Sequence, residues 1–173
     1  QNTRTKPGRK QKTVLVFNAG ATRDPVKLLS VILKDSSFEV AISCPFNFEK
    51  PIFSDKPIFK DLCERHHLTT HNSSNLANAL SSNFQLSPPA VTLTTEASEA
   101  TKAARQTYQH TLLKLCAVIA KQPLQAVYCN NSTAVKDLLL EMSTEAPETE
   151  HLVLVTGSLY LAGDMLGAFK VEV

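Results

Sequence analysis

Four residues with metal-binding chemistry fall close together in the sequence: Cys63, His66, His67 and His71. His67 and His71 stand four apart, the spacing that puts two imidazoles on one side of a helical turn, and zinc accepts such ligands. No matched second half occurs elsewhere in the chain. A polar segment that merely contains histidines is the simpler reading, and no metal site is expected.

Two short turns hold more promising chemistry. Asn18-Ala-Gly-Ala-Thr-Arg-Asp24 follows an apolar run, and Thr156-Gly157-Ser158 follows another. Each sits where a strand would hand over to a helix, and open α/β sheets bind ligands beyond the carboxyl ends of their strands. In the first turn, Arg23 offers a guanidinium that can grip a carboxylate or phosphate through two parallel hydrogen bonds. The residues alone leave a surface turn cation, or a partner for an Asp, equally open. Asp24 precedes Pro25 and reads as a helix cap. In the second turn Thr156 and Ser158 read as caps for the last helix, with Gly157 supplying a tight turn. Asn18, Asp24, Thr156, Gly157 and Ser158 are therefore candidate cleft-lining residues around Arg23, and no catalytic residue is assigned.

Several chemistries are absent from the sequence. The glycines are followed by Arg9, Ala21, Ser158, Asp164 and Ala168, so no phosphate loop of the G-x4-G-K-[ST] type occurs. There is no GxGxxG, GxSxG or HExxH, and no Tyr with a Lys four residues on. The chain does not read as a self-sufficient nucleotide enzyme.

The elements that would carry these turns follow from hydrophobic pattern. Thr13–Asn18 is a continuous β-branched and apolar run, the habit of a central parallel strand buried on both faces. Val26, Leu28, Leu29, Ile32 and Leu33 line the helix that follows, and Phe38–Ser43 is the next strand. Regular pattern dissolves over about 46–95, a long irregular insertion with one or two short helices. Helical spacing returns from Glu96 to Lys121 through Ala100, Ala103, Ala104, Tyr108, Leu112, Leu115, Cys116 and Ile119. Strand 125–129, helix 132–142, strand 150–156 and a closing helix 157–169 complete the alternation. This is α/β with a mainly parallel open sheet and helices on both faces.

These residues resemble a known family. Val14-Leu-Val-Phe-Asn18, then Arg23-Asp-Pro25 and an amphipathic Leu-rich helix, is similar to the opening of the C-terminal domain of eukaryotic folylpolyglutamate synthases. Ile42-Ser-Cys-Pro45 resembles that family's next strand end, and His151-Leu-Val-Leu-Val-Thr-Gly-Ser-Leu-Tyr-Leu-Ala-Gly163 its closing motif. The match covers about fifty residues at the two ends of the chain, in order. It implies a Rossmann-like fold of the Mur-ligase C-terminal type over 13–173, while residues 1–12 read from their charge as a basic linker. It also implies an enzyme, in its full-length form, that activates a reduced folate with ATP as an acyl phosphate and lets L-glutamate attack it. The resemblance gives Arg23 the incoming glutamate. ATP and Mg2+ would bind mainly outside this chain, on the N-terminal ATPase domain of the same polypeptide. The family's Asp-Gly-Ala-His segment is expected ahead of Gln1, and the chain is expected to be a piece of a longer, monomeric protein.

Charge and cysteines bound the rest. Arg4, Lys6, Arg9, Lys10 and Lys12 lie in the first twelve residues with no acid, while the rest of the chain holds 13 bases and 16 acids. With a net charge of +2 no nucleic-acid partner is expected. Cys44, Cys63, Cys116 and Cys129 show no paired spacing and all but Cys63 lie in or beside apolar runs, which suits reduced, buried thiols in a reducing compartment, and the resemblance implies a cytoplasmic or mitochondrial one. Residues 152–169 are apolar but broken by Gly157, Gly163, Asp164 and Gly167, so strand, turn and helix are expected there rather than a membrane span. Two rivals remain: a dinucleotide-binding domain of an oxidoreductase, and a non-catalytic α/β interaction module. The chain by itself should release no ADP in a magnesium- and folate-dependent manner, because phosphoryl transfer depends on a phosphate cradle that it lacks. Such release from the purified chain, measured with a coupled assay, would overturn that expectation.

Overall fold

Four parallel strands and five helices alternate along the residues that the computed structural model describes, which are 10–19, 23–45, 59–68, 99–120 and 124–171. In chain order they are β1 (Lys10–Phe17), α1 (Pro25–Asp35), β2 (Val40–Ser43), α2 (Phe59–Arg65), α3 (Glu99–Ile119), β3 (Gln125–Tyr128), α4 (Ser132–Glu145), β4 (Thr149–Thr156) and α5 (Leu159–Phe169). The sheet order is β3-β2-β1-β4, with every pairing parallel. The expected α/β fold, with a parallel sheet between helical layers, is what the chain adopts.

The order follows from how parallel strands must be joined. Each needs a crossover, and crossovers are right-handed. Moving outward from β1 to β2 to β3 therefore keeps α1, α2 and α3 on one face. Returning from β3 past β1 to β4 puts α4 on the other face, and α5 follows it there. Burial records this division. Leu15, Phe17, Ala41 and Ala126 pack with Leu29 and Leu33 of α1, Leu62 and Cys63 of α2, and Leu112, Leu113 and Leu115 of α3. Val14, Val16, Val40, Ile42 and Val127 pack with Val135, Leu138 and Leu139 of α4 and Leu161 and Met165 of α5. β1 is buried on both sides, as its unbroken apolar run requires: Val14, Leu15 and Val16 are 0% exposed.

Boundaries differ from expectation in instructive ways. β1 begins at Lys10 rather than Thr13, so Lys10, Gln11 and Lys12 of the expected linker pair with Thr149, Glu150 and His151 of β4. The ladder, which their side chains do not oppose because they lie at the rim, wins over polar composition. α4 runs three residues past the expected Met142, and α3 is helical over Glu99–Ile119, while residues 96–98 and 121 of the expected helix lie outside the described residues. β2 starts at Val40, though the Glu39 N–H still bonds to the Thr13 carbonyl. Within the expected insertion, α2 supplies one short helix, while 46–58 and 69–95 lie outside the described residues. β4 is an edge strand whose Leu152 and Leu154 stay exposed on the side facing α1. Residues 152–169 form strand, turn and helix as expected, and no described helix is long and apolar enough to cross a membrane.

All four cysteines are unpaired and buried, including Cys63, which the sequence pattern left outside the apolar runs. Cys44 and Cys129 follow β2 and β3 directly, and the Cys129 N–H bonds to the Ser43 carbonyl. Burial pushes the thiols of Cys116 and Cys129 up to about 12. That of Cys44 rises further, through burial first and then the neighbouring Cys129 and Asp164. Since the thiolate is the reactive form, Cys44, Cys116 and Cys129 should resist an aromatic disulfide reagent at pH 8 in the native protein and react at once in denaturant. Rapid native labelling of these three, located by peptide mapping, would contradict the packing.

Candidate functional site

β1 and β4 lie side by side, yet their chains leave in opposite directions. β1 runs into α1 on one face and β4 into α5 on the other. Such a divergence opens a crevice at the carboxyl end of the sheet, the usual ligand position in folds of this type. Both expected turns meet there.

Asp24 closes the first turn. Its Oδ1 accepts from the N–H groups of Val26 and Lys27 at 3.0 and 3.2 Å, the cap that Asp24-Pro25 predicted. Its Oδ2 lies 3.0 Å from His66 Nε2, off the line of a hydrogen bond but an ion pair when the imidazole is protonated. His66 thus meets the helix cap. His71, its neighbour in the metal reading, lies outside the described residues, and Cys63 is packed into the core. No group of three potential metal ligands occurs among the described residues.

Arg23 is exposed beside this cap, and its Nη1 donates to the Gly157 carbonyl across the crevice at 3.5 Å. That contact is at the long limit of a hydrogen bond. It holds the side chain over the crevice while leaving its donors exchangeable for a ligand. Gly157 belongs to the second turn, where φ is +91°. A side chain at Gly157 would run into the Asn18 carbonyl oxygen and the Phe17 ring. Glycine is required twice, for conformation and for space. Thr156 ends β4 opposite Phe17, and its carbonyl accepts from the Asn18 N–H at 3.4 Å. Ser158 occupies the N-cap position of α5 but makes no side-chain cap bond, which differs from its expected role. The first N–H groups of α5 therefore begin uncapped by that hydroxyl, at the positive end of the helix dipole.

Asn18 is buried, 2% exposed, under the crevice. Its Oδ1 accepts from Gln109 Nε2 on α3 at 3.4 Å, and Gln109 Oε1 accepts from the Ser43 hydroxyl. Next to it, the Tyr108 hydroxyl donates to the Ala19 carbonyl at 3.2 Å. Burial, then the charge of Asp24, raises the Tyr108 phenol well above its usual range, so it stays a donor. Sequence reasoning missed Gln109, Ser43 and Tyr108 as parts of this site. One signal was available for Gln109: a polar residue standing on the apolar stripe that continues through Leu112, Leu113 and Cys116.

The arrangement presents a guanidinium, an uncapped helix start and polar main chain in one groove, with Asp24 already committed to its cap and to His66. That is chemistry for gripping an anion.

Gly157→Ala should cost about 2–5 kcal/mol, from the unfavourable positive φ together with the forced shift of the β1 end. Gly163→Ala, whose Cβ would meet nothing within 4 Å, should instead gain about 0.5–1 kcal/mol in α5. Urea denaturation of the two variants checks both signs, and equal stability would remove the tight turn from the crevice.

Compared with known proteins, the chain matches no protein-family model, no curated protein and no solved structure.

Proposed function

We propose that the chain is the C-terminal domain of an ATP-dependent ligase that joins L-glutamate to the γ-carboxyl of a reduced folate. The observation that carries this reading is Arg23, held across the crevice between β1 and β4 with its guanidinium on the Gly157 carbonyl. The motif resemblance at the two ends of the chain falls on the two turns that meet in that crevice, which supports assigning them one task.

The chemistry asks for a particular division of labour. In this reading ATP and magnesium would be held by the N-terminal ATPase domain of the same polypeptide and would supply the activation of the folate carboxylate as an acyl phosphate. The incoming glutamate has two carboxylates and an amine that must be neutral to react. Its nitrogen attacks the acyl carbon, a C–N bond forms, the C–O bond to phosphate breaks, and inorganic phosphate leaves as the nitrogen loses a proton. Arg23 can take one glutamate carboxylate by two parallel hydrogen bonds, giving up its long contact with Gly157. The start of α5, behind Ser158, adds the positive end of a helix dipole to the same groove. Fixing the carboxylate aims the amine, and orientation of that kind removes much of the entropy barrier to a two-substrate reaction.

In the full-length ligase, Arg23→Ala should raise the Michaelis constant for glutamate about ten- to over a hundred-fold, the loss of one charge-assisted contact of ~1.5–3 kcal/mol. The constants for ATP and folate should change little. Arg23→Lys should recover only part, because a point charge cannot reproduce the paired geometry. Steady-state kinetics with each substrate varied in turn decide the matter. Loss of ATP affinity with an unchanged glutamate constant would give Arg23 to the nucleotide, and unchanged kinetics throughout would return it to a turn residue.

A further inference from the structure

β4 ends the sheet, and among the described residues no strand bonds to its outer side. It runs for eight residues, Thr149-Glu-His-Leu-Val-Leu-Val-Thr156, with no proline and no lysine. Edge strands that stay single are normally short, or carry such residues to block pairing. The opposite edge obeys that rule, since β3 has only four residues. On β4, Leu152 and Leu154 lie on the α1 side of the sheet, 55% and 43% exposed.

One hydrogen bond tells which main-chain groups of β4 face outward. In a parallel ladder, alternate residues of a strand bond to its neighbour. The Thr156 carbonyl accepts from the Asn18 N–H, so Thr156 turns its polar groups to β1, and Leu154, Leu152 and Glu150 do the same. Thr149, His151, Val153 and Val155 therefore aim theirs at the open edge, and an added strand must bond to these four. An antiparallel β4 from a second copy can do so in a two-fold register centred on Val153. Val153 then meets its own counterpart, His151 pairs with Val155, and Leu152 stands opposite Leu154. Opposed residues share a face, so the leucines of both copies form one cluster on the α1 side. They occupy pairs without mutual hydrogen bonds, whose side chains approach most closely. A slip of two residues either way leaves a leucine of each copy opposite Glu150 or Thr156.

Charge favours the same partner and the same direction. Glu148 and Glu150 are exposed at the amino end of β4, with Glu150 on the α1 side. Lys10 and Lys12 of β1 pair with Thr149 and His151, on the other face. At the carboxyl end Arg23 touches the Gly157 carbonyl, and α5 begins with the positive end of its dipole. Antiparallel pairing sets Glu150 of each copy opposite Thr156 of the other, one residue from the carbonyl that Arg23 reaches. Parallel addition would instead set the acids beside their own counterparts.

We propose that the open edge of β4 is a homodimer interface, where two copies join antiparallel about a two-fold axis at Val153 and share one continuous sheet. Pairing of this kind closes at two copies. It is independent of the ligase reading and differs from the monomer that the resemblance implies.

Sedimentation equilibrium of this chain is the test. Wild type should be a dimer at concentrations on the order of 0.1 mM. Leu152→Lys/Leu154→Lys, which sets lysines against lysines across the axis, should be monomeric with the circular dichroism of wild type. Val153→Pro deletes an N–H aimed at the edge, which a single edge strand tolerates and a ladder does not, so it too should be a folded monomer. Glu150→Lys should weaken the dimer about two- to ten-fold. Under mild oxidation, Leu152→Cys mixed with Leu154→Cys should cross-link in higher yield than either variant alone. A monomeric wild type, a dimer that survives both edge variants, or growth beyond two copies overturns the proposal. Unfolding of Val153→Pro overturns it as well, because that N–H would then be used within the chain. Cross-linking strongest within one cysteine variant alone overturns the register.

Discussion

The approach of Gly157 to the end of β1 is the constraint on which the site depends. Eight residues of β4 pair in parallel with eight of β1, from Lys10↔Thr149 to Phe17↔Thr156. The two chains then part to opposite faces immediately after their last paired residues. Such a split can only be made if one backbone passes very close to the other, and Gly157 is where it does so, against Asn18 and Phe17. A residue with a side chain there would push β4 away from β1. The crevice would widen, and the carbonyl that Arg23 touches would leave its reach. Fold and site are thus decided by the same absent Cβ.

Around that point the molecule accepts several local costs. Asn18, Ser43 and Gln109 are amide and hydroxyl groups sealed in a hydrophobic setting, each at most 2% exposed. Buried polar groups that are fully paired contribute little net stability, but losing one partner is expensive. The effect of the set is to make geometry strict rather than to make the fold strong. It links the ends of β1 and β2 to α3, so the carboxyl edge of the sheet is tied together exactly where helices no longer sandwich it. The apolar packing of Leu15, Phe17, Leu29 and Leu112 would be satisfied by several nearby placements of α3. A hydrogen bond from Gln109 to Asn18 is satisfied by few.

Much of the fold was legible because its rules are local. An unbroken Val14–Phe17 run announces a strand buried on both faces, Asp24-Pro25 announces a helix start, and apolar residues at three- and four-residue spacing announce α1 and α3. What failed locally was the first residues of β1, where Lys10 and Lys12 read as a polar tail. Their strand conformation comes from the ladder offered by β4, nearly 140 residues away, and no property of the tail discloses it. The strand order is non-local in the same way. The turns of the site were visible through Arg23, Pro25 and Gly157, residue types with narrow conformational or chemical uses. The partners Ser43 and Tyr108 were not, since each is unremarkable until the chain brings it to a turn far away in sequence; Gln109 stood out only as a polar residue on an apolar stripe, and His66 only as a metal ligand, neither of which points to these turns.

The electrostatic character of the crevice follows from what is already spoken for. Asp24 is the acid closest to Arg23 in sequence, and a free carboxylate there would simply neutralise the guanidinium. Instead one of its oxygens accepts two main-chain N–H groups of α1 and the other faces His66. The acid is turned away by the need to start a helix, and among the described residues Arg23 makes its hydrogen bond to the distant Gly157 carbonyl. Ser158, which by position should cap α5, leaves its first N–H groups without that hydroxyl. A cation and a helix start thus face one groove while the nearest acid is occupied elsewhere. A groove in that condition favours an anion over a cation or a neutral group, and a ligand carrying a planar carboxylate matches the paired donors of Arg23 better than a spherical ion does.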